Sequence, residues 1–287
     1  MKSGFVAVAG RPNVGKSTLV NALTGSKVAI VSDKPHTTRH QIRGVHTGDD
    51  AQLVLVDLPG WQKPIDALTE RMQERVDEAI GGDVDAVLLV VNARERIGAG
   101  DRFVARRVFG LGVPVVIALN KVDRLKPGHI ATQMKTAGEL GDFHALHPVS
   151  AKTGDGIGAL RGDLISLLPE GPLYYPPETD TDMPLEARIA ELVREQALRL
   201  TKEEVPHAVT AEVVEIDDRR VHVRLYTETE SQKQILIGKG GTMVREIGRG
   251  ARPHVEALLG HPVYLQLQVK SSPKWRRNET MLERLGL

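Results

Sequence analysis

The sequence predicts an α/β protein in two parts: a doubly wound, mostly parallel sheet carrying a phosphate-binding loop, then a small α+β module. Three observations carry this. Gly10-Arg11-Pro12-Asn13-Val14-Gly15-Lys16-Ser17-Thr18 has the Gly-x-x-x-x-Gly-Lys-Ser spacing of a loop whose backbone N–H groups point inward at a phosphate chain. Short apolar runs alternate with helical periodicity as far as about residue 169. The proline-rich stretch from Pro169 to Pro184 then separates this pattern from a second, basic one, so the expected limits are 1–170, a linker at 171–184, and 185–287.

The phosphate loop needs a strand before it and a helix after it, and both are legible. Phe5-Val6-Ala7-Val8-Ala9 is the strand; Leu19, Ala22 and Leu23 recur at helical spacing until Gly25 stops the turn. The helix N-terminus then presents free N–H groups and partial positive charge to phosphates. Lys16 would reach the β- and γ-phosphates, and the Ser17 hydroxyl would ligate Mg²⁺. A glycine turn that only caps a helix requires neither of those side chains.

Composition narrows the classes. The chain has 287 residues, long enough for two cores, with 41% apolar and 26% charged residues. It contains no cysteine, which removes disulfides, thiolate nucleophiles and thiolate-bound zinc and fits a reducing cytoplasm. Met1-Lys2-Ser3-Gly4 runs straight into the first strand without a signal-peptide pattern, and apolar runs such as Ala86 to Val91 are strand-sized. Net charge is +1, but residues 231–287 carry +6 and the remainder −5. Such asymmetry suits a nucleic-acid-binding module at the basic end. Nothing in the pattern demands more than a monomer.

Ser32 to His40 has neither helix nor strand periodicity and reads as a loop. A threonine about twenty residues past a phosphate loop is where nucleotide switches sense Mg²⁺ and the γ-phosphate, so Thr37 or Thr38 could serve. Leu53-Val54-Leu55-Val56 reads as a strand covered on both faces, ending in Asp57-Leu58-Pro59-Gly60. The Asp57 carboxylate would hold Mg²⁺, and Gly60, lacking a side chain, would bring its N–H to the γ-phosphate. Ile65, Leu68, Met72, Val76 and Ile80 mark one face of the next helix.

Val84 to Val91 and Val113 to Leu119 supply two more buried strands, the second ending in Asn120-Lys121-Val122-Asp123. Here the chemistry becomes base-specific. Asp123 can accept from guanine N1–H and the exocyclic amine, Asn120 can bond the other purine edge, and the Lys121 stem can cover the ring. Adenine would leave the carboxylate unpaired, at a cost of about 1–3 kcal/mol or more. After the strand-like His147-Pro148-Val149, Ser150-Ala151-Lys152 offers backbone N–H groups toward the guanine carbonyl.

Beyond the linker, Leu185, Ile189, Leu192, Val193 and Leu200 predict a helix, and Ala208 to Ile216 and Arg220 to Tyr226 a strand pair turning at Asp217-Asp218. Ile235-Leu236-Ile237-Gly238-Lys239-Gly240-Gly241 then leads into Val244, Ile247, Ala251, Val255 and Leu258 at helical spacing, and Val263 to Val269 is a final strand. Gly-x-x-Gly between two short elements in this order and in a basic context is the arrangement of a KH module, whose loop clamps about four unpaired nucleotides. Lys239, with Lys233 and Arg245 nearby, would add charge, while Ile235 and Ile237 would form an apolar floor for bases. Gly248, Gly250 and Pro253 predict a kink or break in the long helix.

Taken together these motifs resemble the Era family of bacterial GTPases with a C-terminal KH domain. The resemblance runs end to end and includes Thr37-Thr38-Arg39-His40, Tyr174-Tyr175-Pro176-Pro177, Glu230-Ser231-Gln232-Lys233 and the ending Trp275-Arg276 to Leu285-Gly286-Leu287. It implies GTP and GDP as ligands, Thr38 rather than Thr37 as the metal-sensing residue, recognition of the 3′ region of 16S rRNA, a role in 30S subunit biogenesis, and peripheral contact with the inner membrane from the cytoplasm. Potassium-activated relatives carry the asparagine found at Asn13, which implies K⁺ held against the phosphates. Leu58 stands where the family usually has threonine, and Trp61 where Ras-like enzymes have a water-orienting glutamine. Lys16, Thr38 and Gly60 would thus catalyse slowly when unaided, on the order of 10⁻³ s⁻¹ or less. The alternative is a nucleotide-gated RNA-binding assembly factor acting on another RNA, with hydrolysis incidental.

Overall fold

The computed structural model describes residues 1–34, 37–60, 64–82 and 84–287, with 79–81 described by backbone alone. Two compact units emerge. One comprises Met1–Ala29, Thr38–Pro64 and Met72–Asp182, the other Ile30–Thr37, Ile65–Arg71 and Met183–Leu287.

In the first unit the chain runs β1 (Lys2–Ala9), α1 (Lys16–Thr24), β2 (Ile42–Thr47), β3 (Ala51–Asp57), α2 (Ala67–Gly81), β4 (Ala86–Asn92), α3 (Ala99–Phe109), β5 (Val115–Asn120), α4 (Pro127–Gly138), β6 (Ala145–Val149) and α5 (Ile157–Leu167). The sheet order is β2-β3-β1-β4-β5-β6, parallel throughout except β2, which pairs antiparallel with β3. Alternation along each strand feeds two cores. Val6 and Val8 of β1 join Leu19, Leu23, Leu160 and Leu164 of α1 and α5, while Ala7 and Ala9 join Val76, Val104, Val108 and Ala137 of α2, α3 and α4. The carboxyl ends of β1, β3, β5 and β6 therefore open on one edge of the sheet, where a ligand binds in such folds.

α2 begins at Ala67 rather than at Ile65, which is exposed. The reason is local. The Asp66 carboxylate accepts the Thr69 N–H at 3.0 Å while the Thr69 hydroxyl takes the Ile65 and Asp66 N–H groups, a cap that fixes the helix start. Leu68, Met72 and Val76 are buried as expected; the Ile80 side chain lies outside the described residues. The proline-rich stretch is tied down through Asp182. The buried Gln52 accepts the Tyr174 and Tyr175 N–H groups at 2.8 and 3.0 Å, and Arg43 pairs with Asp182 at 2.9 Å.

The second unit contains α6 (Leu185–Leu200), α7 (Val205–Ala208), β7 (Thr210–Ile216), β8 (Arg220–Thr227), α8 (Glu230–Ile237), α9 (Thr242–Leu259), β9 (Tyr264–Ser271) and α10 (Glu279–Arg284). β7 and β8 are antiparallel and β8 and β9 parallel, and Ile189, Val193, Val223, Leu225, Leu236, Ile247 and Val255 form the core beneath α6, α8 and α9. Trp275 is fully buried, its indole N–H on the Ala208 carbonyl at 2.8 Å. Arg194 is buried too. It holds the Glu191 carboxylate at 2.7 and 2.8 Å and donates to the Thr37 carbonyl; Glu195 accepts the Val31 N–H at 2.9 Å, and Arg276 meets Asp66 at 2.5 Å. These bonds explain why 30–37 and 65–71 cluster with this unit.

Of the kink or break expected in α9, the break does not occur: the helix is continuous from Thr242 to Leu259 with Pro253 inside it. Gly250 serves close packing instead: a Cβ there would lie 2.7 Å from the Gln196 amide oxygen.

Candidate functional site

The phosphate loop joins β1 to α1, and its shape depends on absent side chains. Gly10 has φ +153°, and a Cβ there would lie 2.6 Å from the Val90 carbonyl; Gly15 has φ +98°, and its Cβ would meet the Asn120 amide nitrogen at 2.4 Å. Val14 is buried beneath the loop. Asn13 is exposed and, like Lys121, has a left-handed backbone. Lys16 opens α1 and is buried, its ammonium donating to the Gly10 and Arg11 carbonyls at 3.1 Å each. Thr18 follows within the first turn of the helix.

Around Ser17 the chain gathers oxygen donors. The Ser17 hydroxyl donates to Asp57 Oδ2 at 2.7 Å and lies 2.8 Å from the Thr38 hydroxyl. Asp57 is fully buried, and its other oxygen has no partner among the described residues. A hydroxyl pair beside one half-satisfied carboxylate is a hard-oxygen set that fits Mg²⁺, which keeps waters and phosphate oxygens in its remaining positions. No group of three or more His, Cys, Asp or Glu able to hold a metal by itself occurs among the described residues. Bound there, Mg²⁺ would neutralise phosphate charge. Burial pushes the Asp57 carboxyl up to about 6, against the pull of the Lys16 charge and the Ser17 hydroxyl, and lowers Lys16 to about 8, against the pull of Asp57.

Of the two threonines, Thr38 faces Ser17, whereas the Thr37 hydroxyl donates to the Lys34 carbonyl at 2.7 Å. Leu58 and Pro59 are buried and deliver Gly60 onto the phosphate loop, where a Cβ would come within 2.8 Å of the Pro12 nitrogen. Trp61 and Gln62 lie outside the described residues.

At the guanine end, Asn120 acts as a hub. Its amide N–H donates to the Val14 carbonyl at 3.0 Å, while its oxygen accepts the N–H groups of Lys121 at 2.8 Å and Ala151 at 3.0 Å. Asn120 thus joins three loops, and the Ala151 N–H expected at the base is held by Asn120 here. The buried Ser150 hydroxyl orients Asp123 by donating to its carboxylate at 3.0 Å. The Lys121 ammonium reaches the Asn13 carbonyl, which lays its stem across the loop, while Lys152 is exposed beside them.

The Arg11 side chain is committed to the start of α3. Its guanidinium pairs with Asp101 at 2.7 Å and Glu95 at 3.1 Å, and Gly100 makes room for it, since a Cβ there would lie 2.7 Å from the Arg11 chain. Arg11 therefore anchors the loop to the start of α3.

In the second unit Gly238, Gly240 and Gly241 all have positive φ (72°, 61° and 78°), so the Gly-Lys-Gly-Gly segment bends its backbone outward between α8 and α9 with Lys239 exposed. Arg245 donates to the carbonyls of Gly240 (2.7 Å) and Gly241 (3.1 Å), bracing the loop, and Lys233 pairs with Glu230 at 2.8 Å. Beside the loop lies a groove of about 400 Å³ between α9 and β9, lined by Val244, Gly248, Arg249, Arg252, Tyr264 and Leu267 among others. Ile235 and Ile237 are not among the residues lining it; Ile235 is exposed on α8. Its apolar surface comes from Val244, Leu265 and Leu267.

Two family models match: "50S ribosome-binding GTPase" over residues 5–121 and "KH domain" over residues 199–276. A crystal structure of Aquifex aeolicus Era bound to GDP·AlF4⁻ is 35% identical, covering 100% of this chain and 99% of that one with a TM-score of 0.93. The chain belongs to the Era family of GTPases. A second Era structure, in complex with MgGDPNP and nucleotides 1506–1542 of 16S ribosomal RNA, is 36% identical over 100% of this chain and 99% of that one, with a TM-score of 0.92. Membership makes the first unit a P-loop GTPase and the second a KH domain, the fold classes that the sequence motifs imply. No helix among the described residues is long and apolar enough to cross a membrane.

Sequence reasoning missed the anchoring role of Arg11 and the groove residues Arg249, Arg252 and Tyr264. Asp101 and Glu95 lie 90 and 84 residues from Arg11 in the chain. An aromatic at the exposed start of the last strand was the one available signal.

Proposed function

We propose that this GTPase is a nucleotide-dependent switch that binds the 3′ region of 16S rRNA through its KH domain and assists maturation of the 30S subunit. The observation that carries it is the oxygen set of Ser17, Thr38 and Asp57 beside Lys16, which joins the two loops that a γ-phosphate would order. GTP with Mg²⁺ holds Thr38 and Gly60; hydrolysis releases them. Ile30–Thr37, which adjoins Thr38 in the chain, and Ile65–Arg71, which begins five residues after Gly60, belong to the compact unit of the KH domain, which supports a link between nucleotide state and RNA grip. Mg²⁺ and 16S RNA in a full-length relative support the ligands.

Asn13 holds K⁺ against the phosphates in this reading, so turnover in K⁺ exceeds that in Na⁺. The protein works as a cytoplasmic monomer with peripheral contact to the inner membrane. The description "50S ribosome-binding GTPase" favours a second reading, action on the large subunit, but it attaches to a match over residues 5–121 alone, whereas the 16S complex matches the whole chain. Crosslinking the bound RNA in cells and reading its sequence tests the assignment. Recovery of the 16S 3′ end is expected; recovery chiefly of tRNA or 23S rRNA overturns it.

A further inference from the structure

We propose that the arginine-rich face of α3, on the GTPase unit, is a second docking surface for the sugar-phosphate backbone of RNA, separate from the KH loop and groove. The proposal rests on the RNA-binding reading above and adds a surface to it. Between Arg94 and Arg107 the chain carries five arginines in a part of the sequence, residues 1–230, whose net charge is −5. Arg94, Arg96, Arg102, Arg106 and Arg107 are all exposed. The two carboxylates within the stretch do not neutralise them. Asp101 is buried, one oxygen on Arg11 at 2.7 Å and the other on the Gly98 N–H at 3.0 Å; Glu95 gives one oxygen to Arg11 at 3.1 Å and the other to the Asn92 amide at 2.5 Å. The same contacts that anchor the phosphate loop therefore leave the outer face of α3 positive.

On that face Arg102 and Arg106 lie one helical turn apart, the Arg106 guanidinium 3.4 Å from the Arg102 carbonyl. Next to them is an exposed aromatic ring: Phe103 is 47% exposed, with the Arg107 guanidinium 5.3 Å from its centroid and Asp77 holding Arg107 at 3.0 Å. Planar cations that pair with phosphate, beside a ring on which a base can stack, are the chemistry of nucleic-acid surfaces. An acidic protein would match the charge without using the ring.

The test is the double variant Arg102→Gln/Arg106→Gln in the full chain, with basal GTP turnover as the control for intact folding. Binding to deproteinised 16S rRNA is measured over a range of salt, beside binding to whole small subunits. The expected result is an affinity for 16S rRNA weaker by about tenfold or more at about 0.1 M salt, and a slope of log K against log salt shallower by about 1.4–1.8, the amount for two lost phosphate contacts. Unchanged affinity and slope, with wild type binding well, overturn this inference alone and mark the face as solvated. Loss of small-subunit binding with rRNA binding intact overturns it in favour of a protein partner. Wild-type protein that binds no rRNA overturns both this inference and the reading on which it rests.

Discussion

The hydroxyl of Ser17, in the first turn of α1, lies 2.8 Å from that of Thr38, twenty-one residues along the chain, and Asp57 receives the Ser17 hydrogen bond. Three separate segments meet at one point. Thr38→Ala removes one member of the set, so GTP turnover is expected to fall about 100-fold, equivalent to about 2.7 kcal/mol of transition-state stabilisation. Thr37→Ala loses only a hydroxyl bond to Lys34 and should stay within about threefold of wild type. Single-turnover hydrolysis at saturating Mg²⁺ compares the two.

Burial sets a pH window. With Asp57 raised to about 6, its carboxyl holds a proton below that pH and binds Mg²⁺ poorly; with Lys16 lowered to about 8, its ammonium is lost above it. The signs run oppositely for the ligand-free fold. Asp57 contributes stability that is full below its ordinary range and lost as pH rises through about 6, and Lys16 contributes stability lost as pH falls through about 8. Ligand-free protein is thus least favoured between these values, where Mg·GDP binds best. The rise in Tm on adding saturating Mg·GDP should be greatest between about pH 6 and about pH 8, and a flat profile from about pH 5 to about pH 9 contradicts the assignment.

Asp123→Asn tests base recognition. The carboxylate, oriented by Ser150, accepts two guanine protons, and an amide can accept only one while presenting N–H to the other. GTP affinity is expected to fall by about 1–3 kcal/mol or more, and xanthosine triphosphate, which offers a carbonyl there, should bind the variant better than it binds wild type. Competition titrations measure both.

Trp275→Ala empties a fully buried site and orphans the Ala208 carbonyl. A loss of about 3–5 kcal/mol is expected in the KH-domain transition on urea unfolding. Guanine nucleotide affinity, measured before that transition, should be unaffected.

The central parallel strands were legible because residues such as Leu53 to Val56 are covered on both faces and read as unbroken apolar runs. β2 was not. It is an edge strand with Arg43 and His46 half exposed and a glycine at its centre, where a Cβ on Gly44 would meet Thr24 at 2.8 Å and Val20 at 2.9 Å. The phosphate loop, Asp57-Leu58-Pro59-Gly60 and Asn120-Lys121-Val122-Asp123 are each a few consecutive residues, so their spacing was legible, whereas spacing left Thr37 and Thr38 as alternatives and the family resemblance separated them. The charge pairing of Arg11 joins residues 84 and 90 positions apart, and the groove depends on how α9 packs on β9; local pattern carries no trace of either. Gly248, Gly250 and Pro253 predict a kink or break from local propensity alone, whereas the helix is continuous and Gly250 makes room for Gln196, a packing contact that local pattern does not carry.

The most direct measurement is the affinity of the full-length protein for an RNA spanning nucleotides 1506–1542 of 16S rRNA, read once with GDP bound and once with a non-hydrolysable GTP analogue, both with Mg²⁺. The account predicts tighter binding in the triphosphate state by about tenfold, a coupling of about 1.4 kcal/mol. Equal affinity in the two states would contradict it.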